Sequence, residues 1–259
     1  MTRANPAEGL SIVIPTFNER ENIAGLLTEL RSLQPRLVRP LEVVIVDDNS
    51  PDETAALAER LGRDLAMDVR VLTRNGRRSL GTAIADGLKM CRWDLVCVMD
   101  ADRSHPASLV PDLLDALDGV DGVVASRYTD GGRIESWPLG RRVISLVATR
   151  IARTWLRVQY ADPLSGFFLI RRSFLEDIQV TGDGNKPLLE ILVLARPVMK
   201  ELPYEFRNRR NGESKLDAQG IVDFVRLSVR LRAIAVGGPA AVPSPGRGRE
   251  PSATRKLFD

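Results

Sequence analysis

The chain has 259 residues, 44% of them hydrophobic and 27% charged, with a formal net charge of +3. These values are typical of a globular protein with one large α/β domain or two small ones, and the mild positive charge fits an anionic substrate or membrane surface without indicating nucleic acid. Two cysteines argue for a reducing compartment and against a disulfide framework. No apolar run approaches the roughly 20 residues that cross a bilayer, and no signal-peptide core is present, so we expect a cytoplasmic protein or one on the cytoplasmic face of a membrane.

Short apolar strands alternate with helices along the first half of the chain. The pattern predicts strands over residues 11–15, 41–46, 69–73, 94–99 and 122–126, and helices over residues 21–33, 51–63, 80–90 and 106–117. This alternation predicts parallel strand pairing through right-handed crossovers. The G-x-G-x-x-G of dinucleotide enzymes and the P-loop are both missing, so we expect a nucleotide-binding α/β sheet of another kind.

The second half of the chain is richer in arginine and has fewer strand signals. Helices are predicted over residues 141–157, 186–195 and 218–235, and strands over residues 167–170 and 198–206. Val222, Val225 and Val229 lie on one side of the last helix, which is therefore amphipathic. From Gly237 onward Pro, Gly, Ser and Arg dominate, a composition typical of disorder.

Two carboxylates, Asp100 and Asp102, follow directly after the fourth predicted strand. In open α/β sheets, ligands bind just beyond the carboxyl ends of the strands. Two acids at that position repel each other unless a positive charge lies beside them, and a hard divalent cation bridging to ligand phosphates meets that need. On its own, however, the Asp-x-Asp pattern fits an Asp-rich turn after a strand equally well.

Six short motifs stand in a distinctive order along the chain. They are IPTFNE at residues 14–19, VDDNSP at 46–51, DADRSHP at 100–106, SRY at 126–128, DPLSGF at 162–167 and GESKL at 212–216. Together they resemble the dolichyl- or polyprenyl-phosphate mannosyltransferases of glycosyltransferase family 2. The resemblance implies a GT-A fold, a mainly parallel sheet flanked by helices with a C-terminal amphipathic helix. It divides the chain into a flexible N-terminus (1–9), a catalytic domain (10–236) and a disordered tail (237–259).

The resemblance assigns the sugar-nucleotide donor mainly to the first three motifs and the last one. Phe17 stands where most members have Tyr, so one hydroxyl contact is expected to be missing. Asp102 is the implied direct ligand of Mg²⁺ or Mn²⁺, and Ser104 is the implied second metal contact. Arg103 replaces a usual Leu and adds a positive charge near the metal. The implied donor-binding residues are Pro15, Phe17, Glu19, Val46, Asp48, Asp100, Ala101, Asp102, Arg209 and Lys215.

The acceptor phosphate is implied to contact Arg127, Arg141 and Ser145. Arg141 and Ser145 are four residues apart, so the predicted helix places them on one face. Asp102 and Arg127 are the implied catalytic residues, because a metal ion and guanidinium groups stabilise the charge that develops on a departing diphosphate. For the other arginines of this helix, solvation and attraction to anionic lipid headgroups are equally good interpretations.

An acceptor phosphate is already ionised at neutral pH and needs no general base. The single histidine, His105, is therefore expected to shape the turn in which it lies. Glu190 would be a base if the acceptor were a hydroxyl, and otherwise is expected to orient Lys215 or a loop arginine. Asp162 is expected to cap the turn before Gly166 at the border of the site.

The function implied by the resemblance is an inverting transfer of mannose from GDP-mannose to a polyprenyl phosphate. UDP-glucose or another donor, a hydroxyl acceptor, and a non-catalytic sugar-nucleotide-binding protein are the alternatives. The expected partners are the sugar nucleotide, the lipid and the cytoplasmic face of a membrane, where the protein is peripheral. It reaches the membrane either through its arginine-bearing helices or through a separate membrane-anchoring protein. The sequence leaves the donor, the lipid length and the oligomeric state open.

Overall fold

The computed structural model describes residues 9–76, 78–135, 137–176, 178–206 and 218–236. Apart from Gly9, the predicted N-terminus and the predicted tail lie outside these residues, as do Arg209 and Lys215. The described strands are β1 (Leu10–Thr16), β2 (Leu41–Asp47), β3 (Asp68–Thr73), β4 (Leu95–Val98), β5 (Gly122–Ser126), β6 (Arg133–Ile134), β7 (Phe168–Arg171), β8 (Met199–Pro203) and β9 (Glu205–Phe206). The described α-helices are α1 (Arg20–Leu37), α2 (Thr54–Asp64), α3 (Leu80–Met90), α4 (Val110–Asp115), α5 (Leu139–Trp155), α6 (Ser173–Glu176), α7 (Pro187–Leu194) and α8 (Ala218–Val236).

A seven-stranded sheet in the order β3-β2-β1-β4-β7-β5-β8 forms the centre of the fold. All its pairings are parallel except those of β7, which runs antiparallel to both β4 and β5. The predicted parallel pairing is thus confirmed outside β7. Strand β7 is the exception because residues 127–167 leave the sheet at the end of β5 and re-enter it from the same edge. The short strands β6 and β9 form a separate parallel pair.

Helices cover both faces of the sheet, so its central strands are buried on both sides. Every residue of β1 and β2 is buried, as expected for central parallel strands. On one face Ile12 and Ile14 pack with Leu26 of α1. On the other face Val13 belongs to a buried cluster that includes residues of α3, α7 and α8, among them Leu227. This two-sided core holds the strand ends, and therefore the loops that follow them, in fixed positions.

Several predicted boundaries move for local reasons. Helix α2 begins at Thr54 rather than at Pro51, because Asp52 Oδ1 accepts hydrogen bonds from the backbone N–H and the hydroxyl of Thr54 and Glu53 is left-handed (φ 63°). The predicted strand over residues 198–206 splits at Tyr204, since β8 pairs with β5 and β9 pairs with β6.

The last helix buries a different side from the one that its valines occupy. Phe224 and Leu227 are buried, whereas Val225 and Val229 are about half exposed, at 47% and 51%. Among the described helices none is both long and apolar enough to cross a membrane.

Candidate active site

Four parallel strands, β1, β2, β4 and β5, end at one edge of the sheet. The loops that follow them carry Phe17, Asp48, Asp100 and Arg127, all of which were predicted to bind substrate. The β1 and β2 loops are joined directly, because the Asp48 N–H donates to the Thr16 carbonyl (3.0 Å). The fold therefore brings predicted donor and acceptor residues to one edge, as expected for open α/β sheets.

The loop after β4 is a tight, buried turn that presents two acids. The Asp100 N–H donates to His105 Nδ1, and the Ser104 N–H donates to Asp102 Oδ1, each at 3.0 Å. Arg103 adopts a left-handed conformation (φ 61°) between them. A Cβ atom on Gly166 would lie 3.2 Å from the His105 ring and 3.7 Å from Asp100 Oδ2, so the DPLSGF turn approaches this loop closely.

His105 is a buried, neutral ring that accepts a hydrogen bond from the backbone of the acidic loop. Burial lowers the pKa of His105, more strongly than Asp100 and Asp102 raise it. Because Nδ1 accepts a hydrogen bond, the imidazole proton lies on Nε2, 3.8 Å from Asp100 Oδ2. Phe206 lies 5.7 Å from the His105 ring centre and 5.7 Å from the Arg127 guanidinium carbon, so Arg127 and its partner Asp162 lie close to the acidic loop. The geometry agrees with the expected turn-shaping role.

The loop after β4 supplies too few ligand atoms for a hard divalent cation on its own, so substrate oxygens have to complete the coordination. No group of three His, Cys, Asp or Glu residues within the described ranges is arranged to hold a metal. Asp102 is almost fully buried beside Ser104, whose hydroxyl is completely buried and has no hydrogen-bond partner among the described atoms. A carboxylate and an unsatisfied hydroxyl fit the predicted metal pair, with the remaining ligands supplied by phosphate oxygens and water.

Among the residues predicted to bind the sugar nucleotide, Asp48 has its carboxylate fixed by two hydrogen bonds. It accepts hydrogen bonds from Arg74 Nη1 (2.8 Å) and from the Ser79 N–H (3.0 Å). Burial raises the pKa of Asp48, with Arg74 opposing. Phe17 carries the guanidinium of Arg78 above its ring at 4.0 Å, a contact that the sequence did not predict.

The other residues of the first three motifs that were predicted to bind the sugar nucleotide are partly or fully buried. Glu19 is half-buried at the start of α1, and its Oε2 accepts a hydrogen bond from Asn22 (2.7 Å). Pro15, Val46 and Ala101 are buried, so their side chains present little surface to a ligand.

On the acceptor side, Arg127 is locked in place by Asp162. Arg127 Nε and Nη2 donate to the two carboxylate oxygens of Asp162, both at 2.8 Å, and the Arg127 N–H donates to Oδ2 at 2.9 Å. Burial alone would lower the pKa of Arg127, but the charge and hydrogen bonds of Asp162 raise it above its ordinary value. The backbone carbonyl of Asp162 closes the predicted turn by accepting from the Ser165 N–H, but its carboxylate binds Arg127 and does not cap that turn. Its pairing with Arg127 was missed.

The other two predicted acceptor residues lie on α5 and are also held by aromatic partners. The guanidinium carbon of Arg141 lies 4.0 Å from the centre of the Trp137 ring. Ser145 accepts a hydrogen bond from the Tyr128 hydroxyl (2.8 Å). A cavity of about 290 Å³ opens beside this group. It is lined by Arg127, Tyr128, Gly132, Arg133, Ile134, Arg142 and Glu205.

Lys186, which directly precedes α7, interacts electrostatically with Arg127, Asp100 and Asp162 and was not singled out from the sequence. Burial lowers its pKa, and Arg127 lowers it further, while Asp100 and Asp162 oppose the shift. The preceding residue, Asn185, accepts hydrogen bonds from Ser79 Oγ (3.0 Å) and the Gly81 N–H (2.9 Å), which fixes this loop to the start of α3. The only sequence signal was a lysine placed directly before a helix that begins with proline.

Glu190 is bound by described residues that the sequence did not single out as its partners. Its carboxylate is fully buried and accepts hydrogen bonds from Thr181, Gly182 and Arg230. Glu190 thus joins α7 to α8 through Arg230. The expected partner Lys215 and the predicted phosphate ligand Arg209 lie outside the described residues.

Comparison with known proteins agrees with the order of the motifs. A family model described as glycosyl transferase family 2 matches residues 11–179. A dolichol-phosphate mannosyltransferase of Pyrococcus furiosus is 37% identical over 227 residues, 86% of this chain but 63% of that protein. The chain thus spans less than two thirds of that relative. A Saccharomyces cerevisiae dolichol-phosphate mannosyltransferase is 32% identical, and a Mycolicibacterium smegmatis polyprenol monophosphomannose synthase is 33% identical; the match covers 83% of this chain and 84% of each relative.

Solved structures show the same fold at lower sequence identity. Mannosyl-3-phosphoglycerate synthase from Rubrobacter xylanophilus superposes with a TM-score of 0.63 at 23% identity, over 93% of this chain and 79% of that one. Glucosyl-3-phosphoglycerate synthase from Mycobacterium tuberculosis, solved with Mn²⁺ and UDP-glucose, gives 0.63 at 20% identity, over 90% and 81%. The expected GT-A fold is confirmed. With a family model over more than half of its length and relatives above 30% identity, the chain belongs to glycosyl transferase family 2.

Proposed function

We propose that this protein transfers mannose from GDP-mannose to a polyprenyl phosphate with inversion at the anomeric carbon, using Mg²⁺ or Mn²⁺. The observation that carries the proposal is the meeting, at one sheet edge, of the acidic β4 loop with an arginine that stays charged while buried. Relatives named as dolichol-phosphate mannosyltransferases and a polyprenol monophosphomannose synthase support the substrate class.

The acidic loop is suited to the leaving group. We assign Asp102 and Ser104 as the metal ligands, and Asp100 as a second acid beside them. When bound there, a divalent ion supplies positive charge to the departing nucleoside diphosphate. The residues themselves provide orientation, because the Ser104 N–H fixes one oxygen of Asp102 and His105 fixes the backbone of Asp100. Arg209 and Lys215 are proposed as additional cations for the diphosphate.

The acceptor phosphate is proposed to bind Arg127, Arg141 and Ser145. Its oxygen attacks the anomeric carbon as the bond to the diphosphate breaks, and GDP departs with the electron pair. No side chain has to remove a proton, because the phosphate is already an anion. Arg127 keeps its charge in this buried position because Asp162 raises its pKa. Guanidinium groups also suit phosphate oxygens, which they grip in pairs.

A membrane surface is the proposed location of the acceptor, on the cytoplasmic side. Helix α5 carries Arg141 and Ser145 near its start and exposes apolar side chains beside arginines. Its exposed apolar residues are Leu139, Val143, Ile144, Leu146, Val147 and Trp155. An amphipathic helix with arginines beside an apolar face binds anionic lipid surfaces. Docking through α5 would therefore bring the lipid phosphate to the residues proposed to bind it.

Transfer can be tested with GDP-mannose, Mg²⁺ and a short polyprenyl phosphate, with lipid-linked mannose as the measured product. We expect product from the wild type and at least a hundredfold less from Asp102→Asn. The matched control Asp112→Asn, on the exposed side of α4, is expected to retain full activity. Transfer to a sugar or protein hydroxyl, with none to any prenyl phosphate, would refute the proposal.

The nucleotide can be identified separately by thermal stabilisation. A ligand at about 100 times its Kd stabilises the folded state by about 2.7 kcal/mol. With Mg²⁺ present, we expect GDP to raise the melting temperature more than UDP at equal concentration. A larger shift with UDP would redirect the assignment to a uridine-linked donor.

A further inference from the structure

Trp137 lies between the two arginines that are proposed to bind the acceptor phosphate. The guanidinium carbon of Arg141 is 4.0 Å from the centre of its ring, and that of Arg127 is 5.6 Å away. Both distances are within the range of a cation–π interaction, which is strongest for tryptophan. One aromatic ring therefore contacts a cation from the end of β5 and a cation from α5.

The Trp137 ring also packs against the small sheet formed by β6 and β9. It packs edge-on against Phe206, with ring centres 5.3 Å apart. Phe206 belongs to β9, which pairs with β6 in register, and the Glu135 N–H donates to the Phe206 carbonyl. This small sheet holds the chain just before Trp137. The ring position is thus set by the fold and not by the two arginines alone.

The surroundings of Trp137 leave a place for an anion. Its indole nitrogen is buried and forms no hydrogen bond with another described residue. A buried donor of this kind costs free energy unless a ligand or water accepts its hydrogen. Asp162 occupies the Nε and Nη2 positions of Arg127, and Nη1 has no hydrogen-bond partner within the described part of the chain. Two hydrogen-bond donors beside the proposed acceptor site are therefore unsatisfied within the described residues.

We propose that Trp137 is a positioning residue for the acceptor: its ring holds Arg141 beside Arg127, which Asp162 already fixes, so that both guanidinium groups reach one phosphate. The proposal rests on the proposed function, since the phosphate is that of the lipid acceptor. Without the ring, Arg141 keeps its place in the sequence of α5 but loses the surface that directs it toward Arg127. The donor side, which Trp137 does not contact, is expected to be unaffected.

The test compares Trp137→Leu and Trp137→Phe with the wild type, using geranyl phosphate as the acceptor and GDP-mannose as the donor. Both kinetics and direct calorimetric binding of geranyl phosphate are measured, with geraniol as the uncharged reference. Trp137→Leu is expected to weaken geranyl phosphate binding and raise its KM about tenfold to thirtyfold, as loss of two desolvated cation–π contacts implies. Trp137→Phe, which keeps an aromatic face, is expected to lose about threefold. The KM of GDP-mannose should change less than twofold in both.

Trp93→Leu is the matched control, because Trp93 also has a buried indole nitrogen without a described partner but precedes β4 at the opposite edge of the sheet. It is expected to lower the melting temperature without changing the acceptor KM. Unchanged geranyl phosphate binding in Trp137→Leu, or equal losses for donor and acceptor, would overturn the inference. If the wild type binds geranyl phosphate through Trp137 but transfers no mannose to it, the proposed function fails while this inference stands. If the wild type does not bind geranyl phosphate, both fail.

Discussion

At the scale of single residues, the site depends on buried charges whose partners come from distant parts of the chain. Arg127 and Asp162 are 35 residues apart, and Asp162 is completely buried. Removing one charge of a buried ion pair lowers the stability of the fold by far more than the pair contributes to it, because the other charge stays buried without a partner. This asymmetry makes the partner of a functional residue as informative a target as the residue itself.

Replacing Asp162 by Asn should therefore damage both stability and acceptor binding. The variant leaves Arg127 buried without its counter-charge, so we expect the free energy of unfolding to fall by about 3 kcal/mol. The KM of the acceptor should rise more than that of the donor, because Arg127 loses its orientation. Denaturant unfolding and steady-state kinetics measure these effects, with the exposed Asp118→Asn as control. Wild-type stability together with wild-type acceptor KM would contradict the role given to Asp162.

The buried carboxylate of Glu42, in β2, is expected to make the stability of the fold depend on pH. Burial alone would raise its pKa, but hydrogen bonds from the Arg92 N–H and side chain and from Ser11 lower it below the ordinary value near 4.5. As the pH falls below about 4.5, the unfolded chain takes up a proton before the folded one does. The stabilisation by Glu42 is therefore complete above that pH and is lost as the pH falls through the folded pKa.

In Glu42→Gln, the free energy of unfolding at pH 7 should be about 2 kcal/mol lower than in the wild type, because the acceptor of the hydrogen bonds from Arg92 and Ser11 is no longer charged. Its stability should also fall less steeply than that of the wild type below about pH 4.5. Urea unfolding at a series of pH values measures both effects. The exposed Glu59→Gln, on α2, should leave the curve unchanged. Parallel wild-type and Glu42→Gln curves in acid would show that Glu42 does not titrate abnormally.

At the scale of elements, the loop before α7 is positioned by a close backbone approach to α3. A Cβ atom on Gly81 would lie 1.9 Å from the carbonyl oxygen of Gly182, which itself has a φ of 72°. Only glycine at both positions allows the two segments to meet. The approach places Asn185 against α3 and thereby fixes the start of α7, where Lys186 lies.

Gly81→Ala should force these segments apart. We expect a loss of about 3 kcal/mol in unfolding free energy, typical of overpacking, and a loss of transferase activity through displacement of Lys186. Gly140→Ala is the control, because its Cβ would meet nothing within 4 Å on α5. That variant should gain up to about 1 kcal/mol from helix propensity. Equal stability of the two variants would show that the close approach is relaxed in solution.

The elements themselves were largely predictable, and their partners were not. Strands and helices follow local periodicity, and the helix over residues 80–90 matches α3 at both ends. Asp100 and Asp102 were found because strand and acids adjoin in sequence. Trp137 and Lys186 gave no comparable signal, since the interactions that single them out are made across the fold. The exposed valines of α8 were placed on one side correctly, but periodicity does not say which side meets the core.

At the scale of the whole molecule, the apolar face of α5 predicts a measurable affinity for lipid. The double variant Val143→Asp with Val147→Asp places two carboxylates on residues that are 57% and 53% exposed. We expect binding to vesicles containing anionic phospholipid to weaken at least tenfold, because charge opposes both burial of the face and attraction to the surface. Vesicle flotation measures the change.

Val38→Asp is the control for this experiment, since Val38 is 72% exposed at the end of α1. It should float with the vesicles as the wild type does. Wild-type protein should also prefer anionic to neutral vesicles, because the arginines of α5 respond to surface charge. If the double variant and the wild type float equally, α5 is not the docking surface, and a separate membrane-anchoring protein becomes the better explanation.

The reversed direction of β7 bears on how such enzymes can change what they glycosylate. Residues 127–167 leave and re-enter the sheet at one edge, so the two ends of this segment are neighbours. The ion pair between Arg127 and Asp162 joins these two ends. A segment with adjoining ends can be exchanged or lengthened without altering strand order. If the proposed acceptor site is correct, acceptor choice is separable from donor chemistry, and grafting this segment between family members should transfer acceptor preference.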